Sequence, residues 1–200
     1  MKQIMKNFPL KPRLLIIVVA CAAAFGAQAQ NAAPGMYAPV SSYIDLGVGQ
    51  SDYSLGNGTG LFGSDRRDTS YSIRAGGFSS NNLGAEIGYT DFGSINRAGG
   101  STKAQGINLS LLGKLPLNAS FNLLGKLGTT YARTRVSSNP LSGVTQGSER
   151  GFGLSYGLGA EYVFSPQWST VLQYESQKLK FAGDKTDRVG LTTLSARYLF

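Results

Sequence analysis

From residue 41 onward apolar and polar residues alternate with a period of two, and the alternation falls into eight segments. In YIDLGVGQ, Ile44, Leu46 and Val48 share one face, and Tyr43, Asp45, Gly47 and Gly49 share the other. Tyr71, Ile73 and Ala75 oppose Ser72, Arg74 and Gly76; Leu83, Ala85, Ile87 and Tyr89 oppose Gly84, Glu86, Gly88 and Thr90. The pentapeptide LLGKL occurs at 111–115 and again at 123–127, and each copy sets a lysine among leucines. Alternation separates them: Leu109, Leu111 and Leu115 face away from Lys114, and Leu123, Leu127 and Tyr131 face away from Lys126. Each copy therefore reads as half of a β-hairpin, with Pro116 closing one strand and PLNAS as the turn. Phe152 to Phe164 is one long apolar face backed by glycine, Ser155 and Glu161. Trp168, Leu172 and Tyr174 oppose Val171, Gln173 and Glu175, and Leu194, Ala196, Tyr198 and Phe200 oppose Thr193, Ser195 and Arg197.

The connections alternate in length. Residues 79–82, 116–119 and 165–167 are short; 52–68, 91–105, 133–150 and 177–188 are long and rich in Gly, Ser, Asn and charge. Eight strands with short turns at one end and long loops at the other predict an all-β, eight-stranded antiparallel up-and-down transmembrane β-barrel. Its short turns are periplasmic and its long loops extracellular.

The charges say which face meets lipid. Each strand carries one charge on its small, polar face: Asp45, Arg74, Glu86, Lys114, Lys126, Glu161, Glu175 and Arg197. Four acids and four bases form a balanced interior network, with Arg197 brought beside Asp45 when the barrel closes. Unpaired charges in so narrow a space cost several kcal/mol each. The apolar face, with aromatics near the segment ends, suits hydrocarbon, and no outward strand position is expected to carry a charge. A soluble β-sandwich leaves this balance of sign on one face unexplained.

The N-terminus sets the compartment. Lys2, Lys6, Lys11 and Arg13 precede the apolar run Leu14–Gly26, and AQA precedes Gln30, which predicts a signal peptide over residues 1–29. Residues 30–40 then form a short periplasmic segment before a barrel over 41–200. Val18-Val19-Ala20-Cys21 also fits a lipoprotein site with Cys21 lipidated. Cleavage after Ala29 lowers the net charge from +8 to +4 and removes the one cysteine, so no disulfide is expected.

Catalysis finds little support. The 200 residues contain no histidine, which closes the Ser–His route. Glu161 and Glu175 are read more simply as network members than as an acid–base pair. The G-x-G run in GFGLSYGLG lies inside an alternating strand, not at the start of a helix, so no dinucleotide site is read there. No metal cluster and no cofactor are expected. The long connections hold 11 basic and 7 acidic residues, which accounts for the whole mature charge. Arg66, Arg67, Arg133, Arg135, Lys178 and Lys180, with Arg97, Lys103, Arg150, Lys185 and Arg188, would face the exterior. There they would contact lipopolysaccharide phosphates or polyanions on a host surface, or stand in ordinary solvated loops; nucleic acid is not an expected partner.

RAGGFSSNNLGAEIGYTDFG, KAQGINLSLLGKLPL, GLGAEYVFSPQWSTVLQYE and LSARYLF resemble the second hairpin, fourth strand, sixth and seventh strands and closing strand of OmpA-like outer-membrane barrels. The resemblance spans nearly the whole mature chain except the loops; a monomer is expected, and because the chain stops at Phe200 no peptidoglycan-binding domain is expected. It implies that Glu86 and Glu161 are the family's inward glutamates, paired with bases across the lumen. Two basic positions depart from the pattern: one falls on Leu112, with Lys114 two residues on, and one on Val171. Phe200, with Tyr198 two before it, resembles the C-terminal signal read by the barrel-assembly machinery. The expected role is structural, in membrane integrity and surface display; adhesion or host-factor binding is the alternative, and a low-conductance pore the third.

Overall fold

The computed structural model describes residues 41–54, 66–79, 82–97, 99–137, 146–181 and 184–200. The expected signal peptide, the segment 30–40 and Cys21 lie outside the described residues, as do the side chains of Arg97 and Lys185. Eight strands form a closed antiparallel barrel: β1 (Ser41–Tyr53), β2 (Arg67–Phe78), β3 (Leu83–Arg97), β4 (Gly100–Pro116), β5 (Phe121–Ser137), β6 (Gly147–Val163), β7 (Trp168–Phe181) and β8 (Asp184–Leu199). Each strand pairs with its sequence neighbours and β1 pairs with β8, so no strand edge is left open.

The repeated pentapeptides form the β4–β5 hairpin. Gly113 stands opposite Gly125 and Leu111 opposite Leu127, and the Asn118 side chain accepts from the backbone N–H groups of Ser120 and Phe121, 2.9 Å each, to fix the turn. Leu111, Leu127 and Leu158 are exposed on the outer wall, at 69%, 57% and 67%, while Asp45, Arg74 and Glu86 are buried. The apolar face therefore looks out.

Two cross-strand aromatic pairs bracket this apolar band on β5 and β6. Phe121 meets Tyr162 at a ring separation of 4.9 Å, and Tyr131 meets Phe152 at 4.8 Å. Ten residues of strand tilted by about 40° rise about 25 Å, the height of an outer-membrane hydrocarbon band.

Above Tyr131 and Phe152 the alternation continues but its polarity reverses. On β5 the outward side chains become Arg133 and Arg135 while Ala132 and Val136 turn inward. On β7 Lys178 and Lys180 alternate with inward Leu179 and Phe181, and on β8 Arg188 precedes inward Val189 and Leu191. Two expectations change accordingly. Much of the four long loops is strand: β3 runs to Arg97 and β4 begins at Gly100, leaving a tight connection. Outward strand positions also carry charge, such as Asp91, Lys103 and Arg133, but only above the aromatic boundary, where water replaces lipid. A bulge between Asp91 and Ser94 moves β3 into this phase, so that both Phe92 and Ile95 point inward. Gly93 there has φ 78°, and a Cβ would lie against the Asp68 carboxylate, so glycine is required.

Candidate functional site

The lumen is filled in layers. At the short-turn end Tyr43, Phe78, Leu112, Leu124 and Val171 pack as an apolar cap. Next comes an ionic cluster drawn from seven strands' worth of register rather than from one contiguous motif. Asp45 stands opposite Arg74 on one side and Arg197 on the other. Its Oδ1 is 3.2 Å from Arg74 Nη1 and its Oδ2 is 3.4 Å from Arg197 Nη2. Lys126 Nζ reaches across the lumen to Glu86 Oε1 at 2.7 Å and Glu175 Oε1 at 3.0 Å. Arg197 Nη1 meets Glu161 Oε1 at 3.2 Å and its Nη2 meets Glu86 Oε2 at 3.7 Å; Arg74 Nη2 lies 3.8 Å from Glu175.

Seven of the eight expected charges thus form one connected network. Lys114 does not join it. Its backbone sits near the periplasmic end of β4, and its ammonium lies 4.4 Å from the centre of the Phe78 ring, a cation–π contact at the lumen mouth. The network consequently holds four acids and three bases, not the balanced set expected. Neutral donors serve the surplus oxygens: Tyr43 donates to Glu86 (2.7 Å), Ser195 to Asp45 (2.9 Å), Asn122 and Ser169 to Glu161 (2.9 and 2.8 Å), and Gln177 to Glu175 (3.0 Å). Small residues make room. A Cβ on Gly88 would lie 2.9 Å from the Arg74 stem, and one on Gly157 3.0 Å from that of Glu175.

Above the ions lies a hydrogen-bonded layer in which Asn108 donates to Thr130 (2.9 Å) and Ser155 (2.7 Å), and Thr130 donates to Gln177 (2.7 Å). A second apolar cluster, including Tyr53, Phe92, Ile95, Leu179, Phe181 and Leu191, closes the opposite end. The sequence matches the family described as "Outer membrane protein beta-barrel domain" over residues 17–200. The chain belongs to that family.

Solved structures agree on the fold of this outer-membrane barrel. It is similar to Neisserial surface protein A (16% identity, TM-score 0.58, covering 83% of this chain and 100% of that one). It is similar also to OprG from Pseudomonas aeruginosa (14%, 0.57, 83% and 98%). A third is Ail, the attachment invasion locus protein of Yersinia pestis, in complex with the heparin analogue sucrose octasulfate (20%, 0.54, 80% and 99%). No curated protein matches the chain.

The basic residues assigned from sequence to loops stand mostly on strands of the barrel. Arg133, Arg135, Lys178 and Lys180 occupy outward positions of β5 and β7. Arg67 opens β2 and pairs with Asp52 at 3.0 Å, and the carbonyl of the exposed Arg66 accepts from Tyr53 N–H at 2.8 Å. At the other end of the barrel Tyr198 stacks edge-on against Trp168 at 5.0 Å, and the Phe200 N–H donates to the Ser42 carbonyl at 3.0 Å. The two apolar lumen clusters escaped the sequence reading. The signal was present: Leu112, Leu124, Val171, Leu179 and Phe181 are large apolar residues on the polar phase of their strands.

Proposed function

We propose that this outer-membrane barrel does not conduct and acts through its outer surface, supporting membrane integrity and displaying its extracellular end. The observation that carries this reading is the layered lumen: an apolar cap, an ionic network, a hydrogen-bonded layer and a second apolar cluster follow one another along the axis. A narrow eight-stranded interior is filled by such side chains. Single-channel recording in planar bilayers tests it. The expected trace is flat or shows rare small openings, and a steady porin-like current would sink the proposal.

A second reading, adhesion or host-factor binding, is favoured by the basic extracellular end and by the likeness in fold to Ail, whose structure holds a heparin analogue. Transplanting the extracellular connections onto an unrelated barrel separates the two readings. Binding to host cells or sulfated polysaccharide that travels with the transplant supports adhesion; binding that does not travel returns the role to structure. No catalytic step, cofactor or nucleic-acid partner is part of either reading. Insertion through the barrel-assembly machinery, guided by Tyr198 and Phe200, belongs to the first.

A further inference from the structure

The outer wall just above the Tyr131–Phe152 pair is electrically lopsided. On β1–β4 the described outward charges are paired, Asp52 with Arg67 at 3.0 Å and Asp91 with Lys103 at 3.5 Å, while Asp68 accepts backbone N–H groups of Thr69 and Ser94. On β5–β8 the outward positions hold Arg133, Arg135, Arg150, Lys178, Lys180 and Arg188. Among the described residues none of these six has a carboxylate within ion-pair distance. The nearest acids in sequence, Glu149 and Asp187, fall on the inward phase, opposite Thr134 and Leu179.

Within this face like charges stand directly across the ladder. Arg133 is opposite Arg150, and Lys178 is opposite Arg188. Such pairs destabilise a sheet unless something else neutralises them.

We propose that this six-cation face of β5–β8 is a binding site for the phosphate groups of lipopolysaccharide in the outer leaflet, a proposal that rests on the outer-membrane surface reading above. Direction and height select a membrane-embedded ligand. Arg133, Arg135, Arg150, Lys178 and Arg188 occupy the same alternating phase as the lipid-facing residues below them. Arg133 and Arg150 are each two residues beyond the aromatic pair, about 7 Å along the strand and so at headgroup level. Four strands span about 14 Å, wider than one phosphate, so a headgroup carrying separated phosphates fits the whole face. Arginine contacts to phosphate are charge-assisted and bidentate where geometry allows.

The test uses the full mature barrel refolded into detergent, with bound lipid counted by native mass spectrometry. Bisphosphorylated lipid A is compared with the same lipid enzymatically dephosphorylated, and with soluble sucrose octasulfate. The expected result is retention of bisphosphorylated lipid A at least about tenfold above the dephosphorylated form. The R133Q/R150Q/K178Q/R188Q variant should lose that preference, while R67Q keeps it. Heat-shifted electrophoretic mobility confirms that each variant is folded; if the quadruple variant is not, the R133Q/R150Q and K178Q/R188Q double variants take its place, each expected to lose part of the preference. Equal retention of the two lipids, a folded variant set that keeps the full preference, or binding of the soluble polysulfate alone would each overturn the proposal. A conducting lumen would instead overturn the closed-barrel reading, which this assay does not measure.

Discussion

Arg197 on the last strand and Asp45 on the first stand opposite each other across the seam that closes the barrel, 3.4 Å from Nη2 to Oδ2. The closing ladder thus passes through the ionic layer at this pair. Arg197 also reaches Glu161 and Glu86, and its guanidinium lies 3.9 Å from the centre of the Tyr43 ring, so it ties β8 to β1, β3 and β6.

Because the network has one acid more than it has bases, its members are not equivalent. Lys126→Met leaves Glu86 and Glu175 without their shared cation and should lower the unfolding free energy by about 3–5 kcal/mol. Asp45→Asn leaves three carboxylates facing three cations and should cost only about 1–2 kcal/mol. Urea unfolding in lipid vesicles, followed by Trp168 fluorescence, compares them. Equal losses would refute the role given to charge count.

Breaking the ionic network alone should not open a path through the barrel. Lys126→Met is expected to leave single-channel conductance at the wild-type level, since apolar clusters lie above and below the ions. Adding Phe181→Ala and Leu191→Ala to it should produce measurable openings. A current that rises in the Lys126→Met variant by itself would mean that the caps do not seal.

The position of the hydrocarbon band can be tested with one residue. Leu127, on the outer wall midway between Phe121 and Tyr131, should tolerate arginine badly, losing about 2–4 kcal/mol in a vesicle unfolding assay. Arginine at Ser101, exposed beyond the boundary on β4 and opposite Asn96 and Ser137, should change stability by less than about 0.5 kcal/mol. Similar costs at both sites would place the band elsewhere.

The upper cluster should behave as the core of a water-soluble barrel. Leu179→Ala leaves a cavity among Tyr53, Phe181 and Val189 and should cost about 2–5 kcal/mol. Hydrogen exchange is expected to quicken at amides of residues 175–181 and 188–191 while those of 121–127 stay protected. Uniform loss of protection would show one cooperative unit instead.

The membrane half of this molecule was legible from alternation alone, because lipid outside and ions inside give opposite chemistries to odd and even positions. Asp45, Arg74, Glu86, Lys126, Glu161, Glu175 and Arg197 could all be placed in the lumen that way. Lys114 shows the limit. It has the right phase but stands too close to the Pro116 turn, and phase carries no information on height. The extracellular half was misread as loop for a related reason. Its period of two persists in Ala132, Arg133, Thr134, Arg135 and Val136, but small and charged residues there resemble turn composition. Recognising strand required knowing that the outside solvent had changed.

That change of phase acts as a waterline. Sinking the barrel by one outward position, about 7 Å of strand, would drag Arg133 and Arg150 to the depth of Tyr131 and Phe152. Raising it by the same step would lift those rings into water and strip lipid from the leucines beneath. Neither displacement is compensated elsewhere on the wall, so the molecule floats at a single draught and accommodates a thinner or thicker bilayer by deforming the lipid around it.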